Sequence, residues 1–221
     1  MPTSTVEQYV KTIFQEEERT PGAIVPMKQI SDAMEVTPGT ATSMVKHLAE
    51  RALVSYTPRK GVALTAKGRE LALTMVRRHR LIETFLEQVL GYDWSEIHDD
   101  AERLEHAVSD KFVQRIDAYL GFPDADPHGD PIPSQEGVIE KRRTVSLDRC
   151  EVGSRFLVSR IGDNDSDFLA FMKQHRVIPG EPFELLQRNE TAGTITFRHR
   201  DHTEPVTVGL SLGSRISVTL L

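Results

Sequence analysis

The chain has 221 residues, of which 38% are hydrophobic and 27% are charged, and its formal net charge is −6 at pH 7. This length predicts two or three folded domains with apolar cores. No apolar run reaches the roughly 18 residues that a membrane span needs, and the N-terminus lacks a secretory signal pattern, so we expect a cytoplasmic protein without membrane contact. The single cysteine, Cys150, excludes an intrachain disulfide framework and a thiolate-rich zinc site.

Charge is divided unevenly along the chain. Residues 1–78 hold 11 Lys and Arg against 8 Asp and Glu, whereas residues 79–221 hold 16 against 25. Because residues 1–78 are weakly basic and residues 79–221 are acidic, the charge pattern favours nucleic-acid contact through the N-terminal part alone.

The first 65 residues have the pattern of a winged helix-turn-helix. Apolar residues predict a helix over 5–18, and two short helical patterns flank the break at 37–39, where Thr37 is a candidate N-cap and Pro38 the first helical residue. Two β-rich runs over 53–65 enclose a turn that carries Arg59 and Lys60, which predicts a hairpin wing.

In this arrangement the second helix of the pair enters a major groove and the wing contacts the backbone. Candidate DNA-contacting residues are Thr37, Gly39, Thr40, Ser43, Lys46 and His47 on the helix and Arg59 and Lys60 on the wing. A solvated charged face, or a protein-binding winged helix, remains an alternative interpretation.

Helical periodicity continues over 66–90 and again from about 95 to 120. Residues 121–137 contain four Pro and three Gly, which predicts a segment without regular structure. Short strand-like runs follow over 155–161, 182–187, 194–198, 205–208 and 215–220, with one helix near 165–174, and they predict a small β-barrel.

The expected fold class is therefore mostly α with a β C-terminal domain. We predict a winged helix-turn-helix DNA-binding domain over 1–75, a helical metal-binding and dimerisation domain over 76–122, a Pro-rich linker over 123–146 and an SH3-like barrel over 147–221.

Two stripes of His and Glu predict a metal site on the middle helices. His79 and Glu83 are four residues apart on the first helix, and the second helix carries His98, Glu102, Glu105 and His106 along one face. Imidazole and carboxylate ligands suit Mn²⁺ and Fe²⁺. Taken singly, each pair is also typical of a solvated helix face.

The stretch His98-Asp-Asp-Ala-Glu102-Arg-Leu-Glu105-His106, together with residues 79–83, the linker 127–133 and the start of helix one, resembles the diphtheria toxin repressor and manganese transport regulator family. The resemblance spans nearly the whole chain. It implies a homodimer that binds two metal ions per subunit and then a palindromic operator on double-stranded DNA, without an organic cofactor.

The resemblance also implies the ligands of each site. Glu102, Glu105 and His106 match the primary site, with Gln8 of helix one as a further ligand. The second site matches His79, Glu83 and His98, to which the SH3-like domain adds ligands in the family, with Asp163 or Asp165 as the candidate here.

Iron-type members carry sulfur ligands where this chain has Gln8 and Glu102, so we predict Mn²⁺ first and Fe²⁺ second. Lys11 would oppose a closely paired second ion, which argues against the binuclear arrangement of manganese-type members.

The predicted function is a metal-dependent transcriptional repressor that controls metal-ion homeostasis, and not an enzyme. His98-Asp99 could suggest a metal phosphohydrolase, but that interpretation leaves the winged head unexplained. The main alternative is a winged-helix regulator that senses an organic ligand or a partner protein.

Overall fold

The structure is a computed structural model that describes residues 3–20, 22, 24–94, 96–140, 142–162, 165–201 and 204–221. The chain divides into two compact units. The first contains residues 1–79, 103–109 and 133–138, and the second contains residues 80–102, 110–132 and 139–221.

The first unit begins with three helices and a two-stranded hairpin, as predicted. These elements are α1 (Ser4–Arg19), α2 (Met27–Ala33), α3 (Pro38–Glu50), β1 (Val54–Thr57) and β2 (Gly61–Leu64), followed by α4 (Ala66–Leu90), whose first half belongs to this unit. Helix α1 begins at a capped end, because the Thr3 hydroxyl accepts a hydrogen bond from the Val6 backbone N–H at 3.4 Å.

Helix α3 begins where the sequence predicts. The Thr37 hydroxyl accepts the Thr40 backbone N–H at 3.2 Å, and Pro38 takes the first helical position, where its missing N–H costs nothing. Ala41, Val45 and Leu48 are fully buried and fix the helix on the core.

The hairpin of β1 and β2 is held against the segment before α2. Val25 and Val62 form an isolated antiparallel bridge beside the hairpin. Gly61 has φ +135°, and a Cβ there would lie 2.2 Å from the Val25 carbonyl oxygen, so this close approach requires glycine.

The predicted helix over 95–120 is wrong in one respect, because it is two helices. These are α5 (Ile97–Glu105) and α6 (Asp110–Tyr119), with a break over 106–109. Ser109 followed by Asp110 is a typical helix start, with a hydroxyl before the first turn and an acid within it, and it opens a new helix at this point.

The C-terminal part of the second unit is a six-stranded antiparallel sheet. In chain order its strands are β3 (Val145–Ser146), β4 (Arg155–Ile161), β5 (Pro182–Asn189), β6 (Thr194–His199), β7 (Pro205–Gly209) and β8 (Ile216–Leu220), and their spatial order is β3-β8-β4-β5-β6-β7. Phe156, Phe183 and Phe197 form its aromatic core, with ring centroids 5.4 to 6.2 Å apart.

Five of these strands and the helix α7 (Ser166–Gln174) confirm the predicted barrel pattern. Three further elements are too short to produce a periodic signal in the sequence and were not predicted: the two-residue strand β3, a short 3-10 helix (Leu147–Arg149) and the helix α8 (Leu210–Gly213).

Residues 121–137 contain no helix or strand, as predicted, but they are ordered by specific contacts. Asp126 N–H donates to the Asp130 carbonyl at 3.0 Å, and Ile132 N–H donates to the Asp124 carbonyl at 2.9 Å. The segment therefore forms a tight turn rather than a simple spacer.

This turn is joined to β4. Ile161 N–H donates to the His128 carbonyl at 2.9 Å. Gly129 has φ +89°, and a Cβ there would lie 2.1 Å from the Ser159 carbonyl oxygen.

Among the described residues, no helix has both the length and the hydropathy that a bilayer span requires.

Candidate metal centres and DNA-binding surface

The predicted DNA-contacting side chains lie on the exposed surface of the first unit. Thr37, Gly39 and Thr40 are exposed at the start of α3, and Ser43, Lys46 and His47 are exposed along its outer face. Amide groups at a helix N-terminus and hydroxyl and cationic side chains are the groups that contact phosphates and base edges.

The wing tip adds two exposed cations, Arg59 and Lys60. The tip is a tight turn in which Lys60 N–H donates to the Thr57 carbonyl at 3.1 Å. Arg59 has φ +66° in the position after Pro58, where a turn of this kind usually has glycine. The backbone thus holds an arginine in a left-handed conformation at the wing tip.

The first candidate metal centre, which we call the Lys11 cluster, consists of Glu7, Lys11, His79, Glu105 and His106, all in the first unit. Lys11 Nζ donates to the two carboxylate oxygens of Glu105 at 2.9 and 2.7 Å, and it lies 3.0 Å from His79 Nδ1. That Nδ1 atom lies 2.5 Å from Glu105 Oε2, and His106 Nδ1 lies 2.8 Å from Glu7 Oε2.

The centre of this cluster is closed to water and balanced in charge. Lys11, His79 and Glu105 are 1%, 5% and 0% exposed. Burial alone raises the pKa of Glu105, but the hydrogen bonds and charges of His79 and Lys11 outweigh it and hold that pKa below its usual value. Glu105 is therefore a stable carboxylate, with a cation already bound.

The second candidate metal centre, which we call the His128 cluster, consists of Glu83, Asp126 and His128 in the second unit. All three are buried, and each offers a ligand atom within 4.8 Å of the others. Glu83 comes from α4, whereas Asp126 and His128 come from the turn that precedes the barrel.

His128 is fixed in place by its backbone but not by its ring. Its N–H donates to Asp126 Oδ1 at 2.9 Å, and its ring meets the edge of Trp94 with centroids 5.1 Å apart. The side chain is fully buried, yet neither Nδ1 nor Nε2 has a hydrogen-bond partner among the residues that the structure describes. A buried imidazole without a partner is costly, and a bound cation would satisfy it.

Negative charge gathers around His128. Burial, and then repulsion from Asp130 and Glu83, raises the pKa of Asp126 well above its usual value. Arg80 and Arg160 offset part of this charge: Arg80 Nη2 lies 3.2 Å from Asp130 Oδ1, its Nε lies 3.7 Å from Asp126 Oδ2, and Arg160 Nε lies 2.8 Å from Asp130 Oδ1. The surplus of buried carboxylate over cation suits a divalent ion.

His98 extends this centre towards solvent. Its Nδ1 lies 3.2 Å from Glu83 Oε1, and its Nε2 lies 3.5 Å from Glu102 Oε2. The side chains of His98 and Glu102 are 40% and 38% exposed. Glu83 is thus shared between the buried cluster and the more exposed His98.

The predicted ligands are divided between the two units, and their assignment to two sites stays a prediction. Glu105 and His106 lie in the Lys11 cluster with His79, and the half-buried Gln8 follows Glu7 on α1. Glu83, His98 and Glu102 lie in the second unit. His79 precedes Glu83 by one turn of α4, and Asp163 lies outside the described residues.

Sequence reasoning missed Asp126 and His128, which lie in a segment interpreted as a linker. A signal was present, because Asp126-Pro-His-Gly-Asp130 combines an Asx-turn residue with proline and a glycine, which is typical of a rigid turn. A histidine in a rigid turn is a better candidate ligand than one in a mobile linker.

The donors of the His128 cluster fit a first-row divalent metal. They are imidazole nitrogens and carboxylate oxygens without sulfur, a set that suits Mn²⁺, Fe²⁺ and Zn²⁺. The partnerless ring nitrogens of His128 are the observation that supports this fit.

Three family profiles match successive parts of the chain. Residues 1–62 match the N-terminal DNA-binding domain of iron-dependent repressors, residues 65–134 match their metal-binding and dimerisation domain, and residues 145–220 match the FeoA domain.

Individual repressors are also similar to this chain in sequence. The diphtheria toxin repressor of Corynebacterium glutamicum is 35% identical over 130 residues, which are 58% of this chain and 56% of that protein, so the match spans little more than half of that relative. The iron-dependent repressor IdeR of Mycobacterium leprae is 29% identical over 79% of this chain and 80% of its own length.

A solved manganese-dependent transcriptional repressor in complex with manganese is 39% identical, with 98% of this chain and 100% of that chain covered at a TM-score of 0.89. The resemblance drawn from sequence and the predicted fold class are both confirmed. The chain belongs to the family of iron-dependent and manganese-dependent transcriptional repressors that includes the diphtheria toxin repressor.

Proposed function

We propose that this chain is a metal-dependent transcriptional repressor that binds DNA when it is loaded with Mn²⁺ first or Fe²⁺ second. The observation that carries the proposal is the fully buried His128, whose two ring nitrogens have no partner beside the carboxylates of Glu83 and Asp126. The exposed face of α3 and the cationic wing supply a matching DNA-binding surface.

Glu83, Asp126 and His128 would hold one ion, with His98 at its exposed side. The ion would supply positive charge to a group of three buried acids, Glu83, Asp126 and Asp130, which outnumber the two arginines, Arg80 and Arg160, that pair with them. We retain Gln8, Glu102, Glu105 and His106 as the proposed ligands of a second ion, on the strength of their spacing and of the family.

Ligand chemistry supports the order of metals. Softer sulfur ligands favour metals later in the series, and the ligand sets proposed here contain only nitrogen and oxygen. One relative is named for iron, and the solved structure described above is a manganese complex.

A homodimer fits the apolar surface of the second unit. Large side chains at the end of α4, along α6 and shortly after it are exposed, with Tyr119 at 71%, Phe122 at 69%, Leu90 at 55% and Phe112 at 47%. Exposed apolar groups of this size are typical of an association surface. Two copies related by a two-fold axis would read a palindromic operator, in the cytoplasm where the DNA lies.

The test is DNA binding of the full-length protein by fluorescence anisotropy. The probe is a duplex selected from a random-sequence pool with the Mn²⁺-loaded protein, titrated with Mn²⁺, Fe²⁺, Co²⁺ or Zn²⁺ and then with a chelator. We expect tight binding with Mn²⁺ and reversal by the chelator. Binding that does not respond to any metal would contradict the proposal and support an organic-ligand sensor.

Two variants assign the DNA surface in the same assay. Lys46→Ala and Arg59→Ala should each weaken binding and make the slope of log K against log salt shallower by about 1, because each removes one cation that neutralises a phosphate. Lys111→Ala on the exposed side of α6 is the matched control, because it removes an equal charge from the second unit.

A further inference from the structure

Lys11 is among the largest fully buried side chains of the protein, and its ammonium group lies where metal ligands converge. Nζ bonds both oxygens of Glu105 and lies 3.0 Å from His79 Nδ1. We propose that Lys11 acts as an internal cation that closes the space between His79 and Glu105 to a metal ion. The inference rests on the proposed function, because it concerns how many ions the protein takes up.

The atoms around Lys11 Nζ are of the types that bind metal ions. An imidazole nitrogen and two carboxylate oxygens are a partial ligand set for a divalent ion. In this cluster the same three atoms surround an ammonium group, which is also a cation but is covalently attached. The set is therefore occupied without a metal, and no chelator can remove its cation.

The Lys11 and Glu105 charges are buried together. Lys11 and Glu105 are 1% and 0% exposed, so water cannot solvate either charge if the pair separates. A metal ion placed between His79 Nδ1 and the Glu105 carboxylate would stand at the position of the ammonium, in surroundings that screen their repulsion poorly. Lys11 would have to leave this position first.

The position between His79 and Glu105 differs from the neighbouring Glu7 and His106 side of the cluster. His106 is bonded to Glu7, with Nδ1 2.8 Å from Oε2, and its Nε2 lies 3.5 Å from Glu105 Oε1. The Glu7 and His106 side of the cluster has no lysine contact among the described residues. Lys11 thus limits uptake at one position only, between His79 and Glu105.

The test compares Lys11→Met, which keeps the length of the side chain without its charge, with Lys11→Arg, which keeps the charge. Full-length proteins are purified and dialysed with Mn²⁺ present throughout, and bound metal per chain is measured by mass spectrometry. Their Tm is measured with Mn²⁺ and after chelation.

We expect wild type and Lys11→Arg to bind the same number of ions and Lys11→Met to bind one more. The chelator should also lower the Tm of Lys11→Met more than that of wild type, because an ion now replaces the ammonium. An unchanged ion count overturns the inference, and so does a Lys11→Met protein that stays unfolded at saturating Mn²⁺.

The failure of this inference differs from the failure of the proposed function. If wild type binds the selected duplex equally with and without Mn²⁺, the proposed function is wrong. If wild type responds to Mn²⁺ but Lys11→Met gains no ion, only the role of Lys11 is wrong.

Discussion

The Lys11 cluster and the His128 cluster use the same residue types but balance charge in opposite ways. In the first, the buried Glu105 carboxylate has a lysine on both oxygens, and its pKa is lowered. In the second, the pKa of the buried Asp126 carboxylate is raised, and the neighbouring imidazole of His128 has no partner. From this difference we infer that the His128 cluster, whose charges remain unbalanced, is the better candidate for a metal centre.

The largest expected effect is on the Lys11 cluster. Glu105→Gln leaves the buried ammonium of Lys11 without its carboxylate, and we expect a loss of about 3 to 5 kcal/mol in the free energy of unfolding of metal-free protein. Urea unfolding followed by circular dichroism with a chelator present measures it.

The control is Glu102→Gln, one turn earlier on α5, where the side chain is 38% exposed. It should change stability by less than about 0.5 kcal/mol. Equal effects of the two variants would mean that the Lys11 to Glu105 pair is not what stabilises the first unit.

The next effect concerns metal affinity at the His128 cluster. His128→Phe keeps an aromatic ring beside Trp94 but removes both ligand nitrogens, and we expect Mn²⁺ to bind at least about 100-fold more weakly to this site. Calorimetric titration of the full-length protein measures the affinity.

His175→Phe is the matched control, because His175 is exposed at the end of α7. The fluorescence of Trp94, the single tryptophan, gives a second and local measure. Mn²⁺ should quench it in the control and in wild type, and unchanged affinity in His128→Phe would exclude this cluster as a metal centre.

The turn that presents His128 should be sensitive to a single methyl group. Gly129→Ala would put a Cβ 2.1 Å from the Ser159 carbonyl oxygen at φ +89°, and we expect about 3 kcal/mol of destabilisation together with weaker Mn²⁺ binding.

Gly153→Ala supplies the control, because Gly153 has φ +87° with nothing within 4 Å of its Cβ position. It should cost about 1 kcal/mol and leave Mn²⁺ affinity unchanged. Urea unfolding and metal titration of both variants separate the backbone strain from the close approach to β4, and equal destabilisation would show that this approach is unimportant.

The smallest expected effect is a gain in folding stability rather than a loss. Asp126 faces Glu83, Asp130, Arg80 and His128, and its raised pKa means that the neutral acid favours the folded state. That contribution is complete below the ordinary aspartate pKa and is lost as pH rises through the folded-state value. Asp126→Asn cannot ionise, so we expect metal-free Asp126→Asn to gain stability over wild type as pH rises.

Urea midpoints measured with a chelator at about pH 4 and about pH 8 check this sign. Asp124→Asn is the control, since that side chain is 86% exposed. A difference between Asp126→Asn and wild type that does not change with pH would contradict the account of buried charge.

The sequence predicted those parts of the fold that leave a local signal. The Thr37-Pro38 start of α3, the hairpin wing and five barrel strands follow from capping, periodicity and turn composition. The break between α5 and α6 was missed, because the apolar period continues across it although Ser109 and Asp110 open a new helix.

The candidate centres were only partly predictable, because they depend on contacts between distant segments. Spacing grouped Glu102, Glu105 and His106 on one helix, but it could not show that Lys11 would bond Glu105 across 94 residues. It also could not show that a proline-rich turn would bring His128 to Glu83. The domain limits and ligand sets proposed from sequence stay predictions.

One measurement tests the difference between the two clusters most directly. Crystals of the full-length protein grown with Mn²⁺ would be measured for anomalous scattering at the manganese edge. We predict a peak at bonding distance from Glu83, Asp126 and His128, and no peak between His79 and Glu105, where Lys11 Nζ should remain. A peak between His79 and Glu105, with none beside His128, would contradict the account.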